Sequence, residues 1–160
     1  MGQLHTDTRS ESASRKENVV RLWLRMFSCE RSIEQRLRSH LSASFGITLP
    51  QFKVLSELDR SDAPVVMSRL SEQLNVTSSN MTGVIGRLER DGLVKRLRSS
   101  TDRRVQCIEM TSAGRTAFVE IAQDNVLWIA RAFAELTDEE VMQLQKLLFK
   151  ARQSAIKSLT

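Results

Sequence analysis

Seven basic side chains crowd the stretch from Arg87 to Arg104: Arg87, Arg90, Lys95, Arg96, Arg98, Arg103 and Arg104. Three acids, Glu89, Asp91 and Asp102, stand against them, leaving +4 in 18 residues where the whole chain carries +5. Charge gathered in this way suits a polyanionic partner, above all nucleic acid. A merely solvated face mixes its signs more evenly. Just upstream, Ser78, Ser79, Asn80 and Thr82 supply hydroxyl and amide groups, which hydrogen-bond phosphates and base edges.

Other chemistry finds little footing. The two histidines, His5 and His40, have no Cys, Asp or Glu at metal-ligand spacing. Glu139-Glu140 reads as the acidic first turn of a helix, where carboxylates suit the dipole, and not as a catalytic pair. Gly83-x-x-Gly86 lies inside a helical pattern and lacks the Lys-Ser/Thr of a phosphate loop. No Ser-His-Asp or Cys-His arrangement stands out, so an enzyme is not expected, nor any cofactor. Cys29 and Cys107 show neither metal spacing nor a disulfide framework, which fits a reduced, cytoplasmic protein. Arg25 and Arg31 near Cys29 leave two readings of that thiol, quiet or redox-active. No apolar run reaches the ~20 residues of a membrane span, and the polar N-terminus has no secretory core segment.

The elements that carry the polar and basic groups follow from periodicity. Met81, Val84, Ile85 and Leu88 form one apolar helix face at i, i+3, i+4 and i+7. Thr77 caps the start, and Gly92 after Asp91 provides the left-handed stop. At about 100° per residue the opposite face carries Ser79, Thr82, Gly83, Gly86, Arg87 and Arg90, with no carboxylate. Each glycine costs roughly 1 kcal/mol against Ala in a helix. Either small residues are merely tolerated there, or another backbone approaches closely.

The rest of the chain is arranged around that helix. Residues 1–17, rich in Ser, Thr and charge, read as a disordered tail. Residues 18–45 are helical, with Leu22, Met26, Ile33, Leu37 and Leu41 in a stripe that Gly46 ends. Thr48-Leu49-Pro50-Gln51 is a capping box that opens a helix to about Asp59. Val65–Met67 is a short strand, and Ser68 is expected to cap the helix carrying Leu70 and Leu74. Leu93–Arg98 and Val105–Met110 alternate as two antiparallel strands around a polar loop. Thr111 caps a long helix with Phe118, Ile121, Ala122 and Ile129 on one face, and Thr137-Asp138-Glu139-Glu140 is a second capping box. At 160 residues this is one domain, mainly α with a small β wing. A DNA-reading core at about 48–110 sits between terminal helices at about 18–45 and 112–158, within a domain spanning 18–160.

The runs Leu70-Ser71-Glu72-Gln73-Leu74, Val76-Thr77 and Val84-Ile85-Gly86-Arg87-Leu88-Glu89-Arg90-Asp91-Gly92-Leu93-Val94 resemble the helix-turn-helix of the MarR family of bacterial transcription regulators. Thr101-Asp102-Arg103-Arg104 resembles that family's wing tip, where an Asp-x-Arg pair is typical. Thr111-Ser112-Ala113-Gly114 resembles the Thr-x-x-Gly opening its next helix. The likeness covers residues 18–157. It implies a winged helix-turn-helix whose terminal helices form a homodimer, and a DNA-binding regulator, more often repressor than activator. The helix from Ser78 to Arg90 then enters the major groove of a near-palindromic operator. Ser78, Ser79, Asn80 and Thr82 reach bases or phosphates, and Arg87 and Arg90 the backbone. The wing, with Arg103 beside it, puts Arg104 into the minor groove, oriented by Asp102.

Family members often hold small ligands between the dimer helices and the reading core. Trp23, Arg25 and Phe27, with Trp128, then suit a small aromatic carboxylate or its coenzyme A thioester, unless these aromatics are simply core. The run Leu22-Trp23-Leu24-Arg25 resembles a branch controlling hydroxycinnamate or aromatic-acid catabolism. Some relatives sense peroxide through a first-helix cysteine, but Cys29 falls later in its helix than that motif. The remaining alternative is a winged-helix protein-interaction module, against which the carboxylate-free helix face argues.

Overall fold

The computed structural model describes residues 4–98 and 105–158. They form nine elements: α1 (Leu4–Phe45), α2 (Leu49–Asp59), β1 (Val65–Val66), α3 (Met67–Gln73), α4 (Ser78–Arg90), β2 (Val94–Arg98), β3 (Gln106–Met110), α5 (Ser112–Ala132) and α6 (Asp138–Ser158). The chain divides into two compact units, Met1–Phe118 and Val119–Thr160. The architecture is the mainly helical one with a small β wing that the sequence implies. Among the described residues no helix is long and apolar enough to cross a membrane.

The first unit is built on a three-stranded antiparallel sheet of order β1-β3-β2. Val65 pairs with Ile108, and Val94 with Met110. Helices cover one side of it. Leu41 of α1, Val54 and Leu55 of α2, Leu70 of α3, Ile85 and Leu88 of α4 and Ile108 of β3 are all fully buried. The rings of Phe52 and Phe118 stack 6.0 Å apart beside this core.

Local chemistry sets the ends. Thr48 and Gln51 complete the expected capping box: the Thr48 amide donates to Gln51 Oε1 at 2.8 Å, and the Gln51 amide to Thr48 Oγ1 at 3.4 Å. Gly46 (φ +66°) and Gly92 (φ +72°) take the left-handed conformation that closes α1 and α4. After α4 the Gly92 amide donates to the Glu89 carbonyl and the Leu93 amide to the Leu88 carbonyl, the paired bonds of a Schellman stop. Asn75 (φ 51°) does the same work after α3, and its turn sets up α4.

Two expectations need correction. The first helix begins at Leu4, inside the stretch read as a tail over residues 1–17. Once a helix has nucleated, each added residue costs little, so a polar segment extends it without a core. Residues 14–17 are exposed there, and Glu17 pairs with Arg21 one turn on at 3.7 Å. Ser68, expected as a cap, lies inside α3; the capping position is Val66, with no side-chain bond. Pairing of Val65-Val66 with β3 delivers the chain into the helix instead.

The second unit holds the remainder of α5, from Val119, and α6. Ile121 is buried, while Val126, Leu127 and Ile129 are exposed. The second capping box closes as expected: the Thr137 amide donates to Glu140 Oε2 at 2.8 Å and the Glu140 amide to Thr137 Oγ1 at 3.3 Å.

The tightest joint in the first unit lies where α5 begins. Thr111 Oγ1 donates to the Gly92 carbonyl at 2.7 Å, and the Gly114 amide donates to Thr111 Oγ1 at 2.9 Å. A β-carbon on Gly114 would overlap the carbonyl of Leu93. Replacing Gly by Ala inside a helix ordinarily gains up to ~1 kcal/mol. Here the backbone overlap outweighs it, so Gly114→Ala should lower stability by about 1–3 kcal/mol. Urea unfolding measures this; a variant as stable as the parent would refute the close approach.

Candidate nucleic-acid interface

The site is the exposed side of α4. Its other side is fixed: Met81, Ile85 and Leu88 are buried and Val84 half-buried, the face the periodicity predicts. The Thr77 hydroxyl accepts the Asn80 amide at 3.3 Å and so caps the helix as expected. No acid lies in the first turn, and Arg87 and Arg90 stand in the last. The N-terminal end therefore keeps its partial positive charge uncancelled, which favours an anion.

Every described DNA-facing residue of the sequence reading is exposed: Ser78, Ser79, Asn80, Thr82, Arg87 and Arg90. Among the described residues neither Arg87 nor Arg90 has an ion-pair partner. The Thr82 hydroxyl donates to the Ser78 carbonyl at 2.9 Å, which fixes its rotamer and turns its oxygen lone pairs outward. Asp102, Arg103 and Arg104, the expected wing contacts, lie outside the described residues.

The structure redistributes the basic strip. Lys95 pairs across the sheet with Glu109 at 3.0 Å, and Arg96 meets Glu89 at 3.1 Å. Both cations counted toward the strip, but each already has a carboxylate. Sequence reasoning missed both pairs. The signal for one was the alternation of β2: with Val94 inward, Arg96 must turn inward as well.

The two glycines of α4 differ. Nothing in the protein lies within 4 Å of a β-carbon placed on Gly83. On Gly86 that carbon would lie 3.7 Å from the Arg96 guanidinium, an ordinary contact. Within the described residues neither glycine is thus required by a close backbone approach: Gly86 has an ordinary side-chain neighbour, and Gly83 stays open.

The effector residues are placed differently. Trp23, Arg25 and Phe27 are exposed on α1, and the rings of Trp23 and Phe27 stack 6.1 Å apart at 18°. Trp128 belongs to the second unit and is half-buried. Cys29 is a free, exposed thiol, and Cys107 is free in β3. Among the described residues no group of three His, Cys, Asp or Glu side chains could hold a metal ion.

A helix-turn-helix joined to a three-stranded sheet, with a polar helix face held out to solvent, defines a winged helix-turn-helix DNA-binding protein. The MarR family model matches residues 47–105, from the approach to α2 to the start of β3. The chain is 31% identical to the transcriptional activatory protein BadR of Rhodopseudomonas palustris over 128 residues, 79% of this chain and 73% of that one. It is 31% identical to the transcriptional repressor MdtR of Bacillus subtilis over 110 residues, 69% and 70% of the two chains. A solved MarR-like regulator from Bacillus cereus superposes with a TM-score of 0.77 at 25% identity, covering 86% of this chain and 98% of its own. The protein belongs to the MarR family: it is a DNA-binding transcription regulator and not an enzyme.

Gly83 gives the interface a test with opposed readouts. Gly83→Ala should stabilise the fold by about 0.5–1 kcal/mol, because the helix gains propensity and the added methyl meets nothing. The same methyl should weaken DNA binding several-fold if a DNA backbone lies against that face. Urea unfolding and fluorescence anisotropy with duplex DNA read the two effects. Unchanged DNA affinity in the stabilised variant would remove Gly83 from the interface.

Proposed function

We propose that this regulator is a cytoplasmic homodimeric repressor that reads a near-palindromic operator through α4. Ser78, Ser79, Asn80 and Thr82 address bases or nearby phosphates, Arg87 and Arg90 the backbone, and Asp102, Arg103 and Arg104 the adjacent minor groove. The observation that carries this is the exposed, acid-free face of α4. MdtR, a repressor by name, supports the sign proposed; BadR, an activatory protein, makes that sign the quantity to measure by transcription in vitro.

Dimerisation is supported by where the exposed apolar side chains lie. Every large hydrophobic residue exposed among the described residues falls on α1, α5 or α6, with Trp23 at 62% and Phe149 at 64%. Patches of that kind mark surfaces that a partner covers. A second copy gives half-sites about 10 bp apart, one turn of DNA. Light scattering at micromolar concentration should give twice the chain mass; a monomer that still binds the operator with full affinity would sink the two-fold reading.

The effector proposed is a small aromatic acid or its coenzyme A thioester, taken by Trp23, Arg25 and Phe27 on α1. Ring contact with the exposed Trp23–Phe27 stack suits a flat ligand, and the cationic Arg25 on the same helix favours an anionic one. Release of DNA requires that the ligand prefer the conformation that does not fit the operator. A ~100-fold loss of DNA affinity corresponds to about 2.7 kcal/mol of coupling, within the usual allosteric range. By reciprocity operator DNA must weaken ligand binding by the same factor. Trp23 and Trp128 are the chain's two tryptophans, so their fluorescence follows titration with benzoates, hydroxycinnamates and their thioesters. Equal binding with and without operator would exclude the switch, and a peroxide response that Cys29→Ser abolishes would point to redox control.

A further inference from the structure

We propose that Arg96 is a positioning residue that clamps the wing to the recognition helix and is not a phosphate contact. The proposal rests on α4 being the DNA-reading helix. Register comes first. Arg96 pairs with Ile108 and Val94 with Met110, and cross-strand partners share one face of a sheet. Val94, Ile108 and Met110 are all buried, so Arg96 stands in the row that faces the helices. Its neighbour Lys95 points the other way, to Glu109.

The guanidinium then lies across two turns of α4. Arg96 Nε sits 3.1 Å from Glu89 Oε2, and Nη2 donates to the Thr82 carbonyl at 3.5 Å. Between these contacts Nη2 rests over Gly86, 3.7 Å from where a β-carbon would stand, an ordinary packing distance. The Nε atom is fully buried, and its approach to Glu89 is an ion pair without hydrogen-bond alignment. That atom is therefore inaccessible to a phosphate. A planar guanidinium can hold a carboxylate and a carbonyl at once, which the point charge of a lysine does less well.

The consequence is geometric. β2 leads directly into residues 99–104, where the wing residues Asp102, Arg103 and Arg104 fall in sequence. Tying the middle of β2 to α4 fixes the direction in which the wing leaves the helix. β2 and α4, from which the two sets of contacts extend, are then held at one set angle. Specific binding needs that angle, because both sets of contacts must be made together; non-specific binding does not.

The test uses the full chain with two duplexes: one selected by the parent protein from a random library, and a scrambled version of it. Affinities are measured across a salt series for Arg96→Gln, Glu89→Gln and the exchanged pair Glu89→Arg with Arg96→Glu. For Arg96→Gln the preference for the selected duplex should fall about tenfold with the salt slope unchanged. Loss of a phosphate contact would instead flatten the slope by about 0.9 and weaken both duplexes alike. Glu89→Gln, at a half-exposed position, should also lose preference even though it removes a negative charge near DNA. The exchanged pair should recover part of it. Overturning results are a flattened slope in Arg96→Gln, or Glu89→Gln binding the selected duplex more tightly than the parent. If the parent itself selects no duplex, the reading of α4 fails, and the clamp with it; selection by the parent with an intact preference in both single variants sinks the clamp alone.

Discussion

A helix that reads DNA can be held by only half of its circumference. The other half must stay empty of protein, and the structure depends on that restriction. In α4 the grip comes from Met81, Ile85 and Leu88, sealed against α2, α3 and the sheet. Burying side chains of this kind is worth about 1.5–3 kcal/mol each, enough to hold a helix of 13 residues that would be marginal alone. The caps serve the same end. Thr77 satisfies an amide at the N-terminal end of α4 without bringing a charge there, so the helix terminus keeps its attraction for an anion.

What was legible in the sequence follows from which interactions are local. The 3.6-residue period of α4, the Thr48 and Thr137 capping boxes, and the stops at Gly46 and Gly92 act within a few residues. Each was readable, and each stands in the structure. The Asn75 turn was legible only as a turn, because its left-handed residue is not a glycine. The start of α1 was misplaced because a polar helix carried by its own continuation leaves no hydrophobic period to read. Ser68 misled for the complementary reason: a good capping residue was present, but strand pairing two residues earlier, at Val66, decided where α3 begins.

The basic strip shows the limit of counting charge along a chain. A sum over Arg87–Arg104 treats all seven cations alike. Strand register does not: it turns Arg96 toward α4 and sets Lys95 opposite Glu109. The acids that meet them lie in the last turn of α4 for one and on the neighbouring strand for the other. Glu89 was already in the sum and Glu109 was not, so the local surplus falls from +4 to +3 and stays positive. What changes is which cations can serve as contacts. Within the described residues, Arg87 and Arg90 retain that freedom.

The glycines make the same point in the backbone. Gly83, Gly86 and Gly114 all sit in helices, where propensity argues against each by a similar amount. Gly114 is required by the Leu93 carbonyl, while at Gly86 a β-carbon would meet the Arg96 guanidinium only at an ordinary 3.7 Å. Gly83 touches nothing of its own chain. A residue that weakens the helix and relieves no contact among the described residues is either merely tolerated or meets something outside the chain, and its face is the one the fold leaves uncovered. Of the three, the protein's own packing accounts for Gly114 alone, a distinction that no count of glycines in the sequence could make.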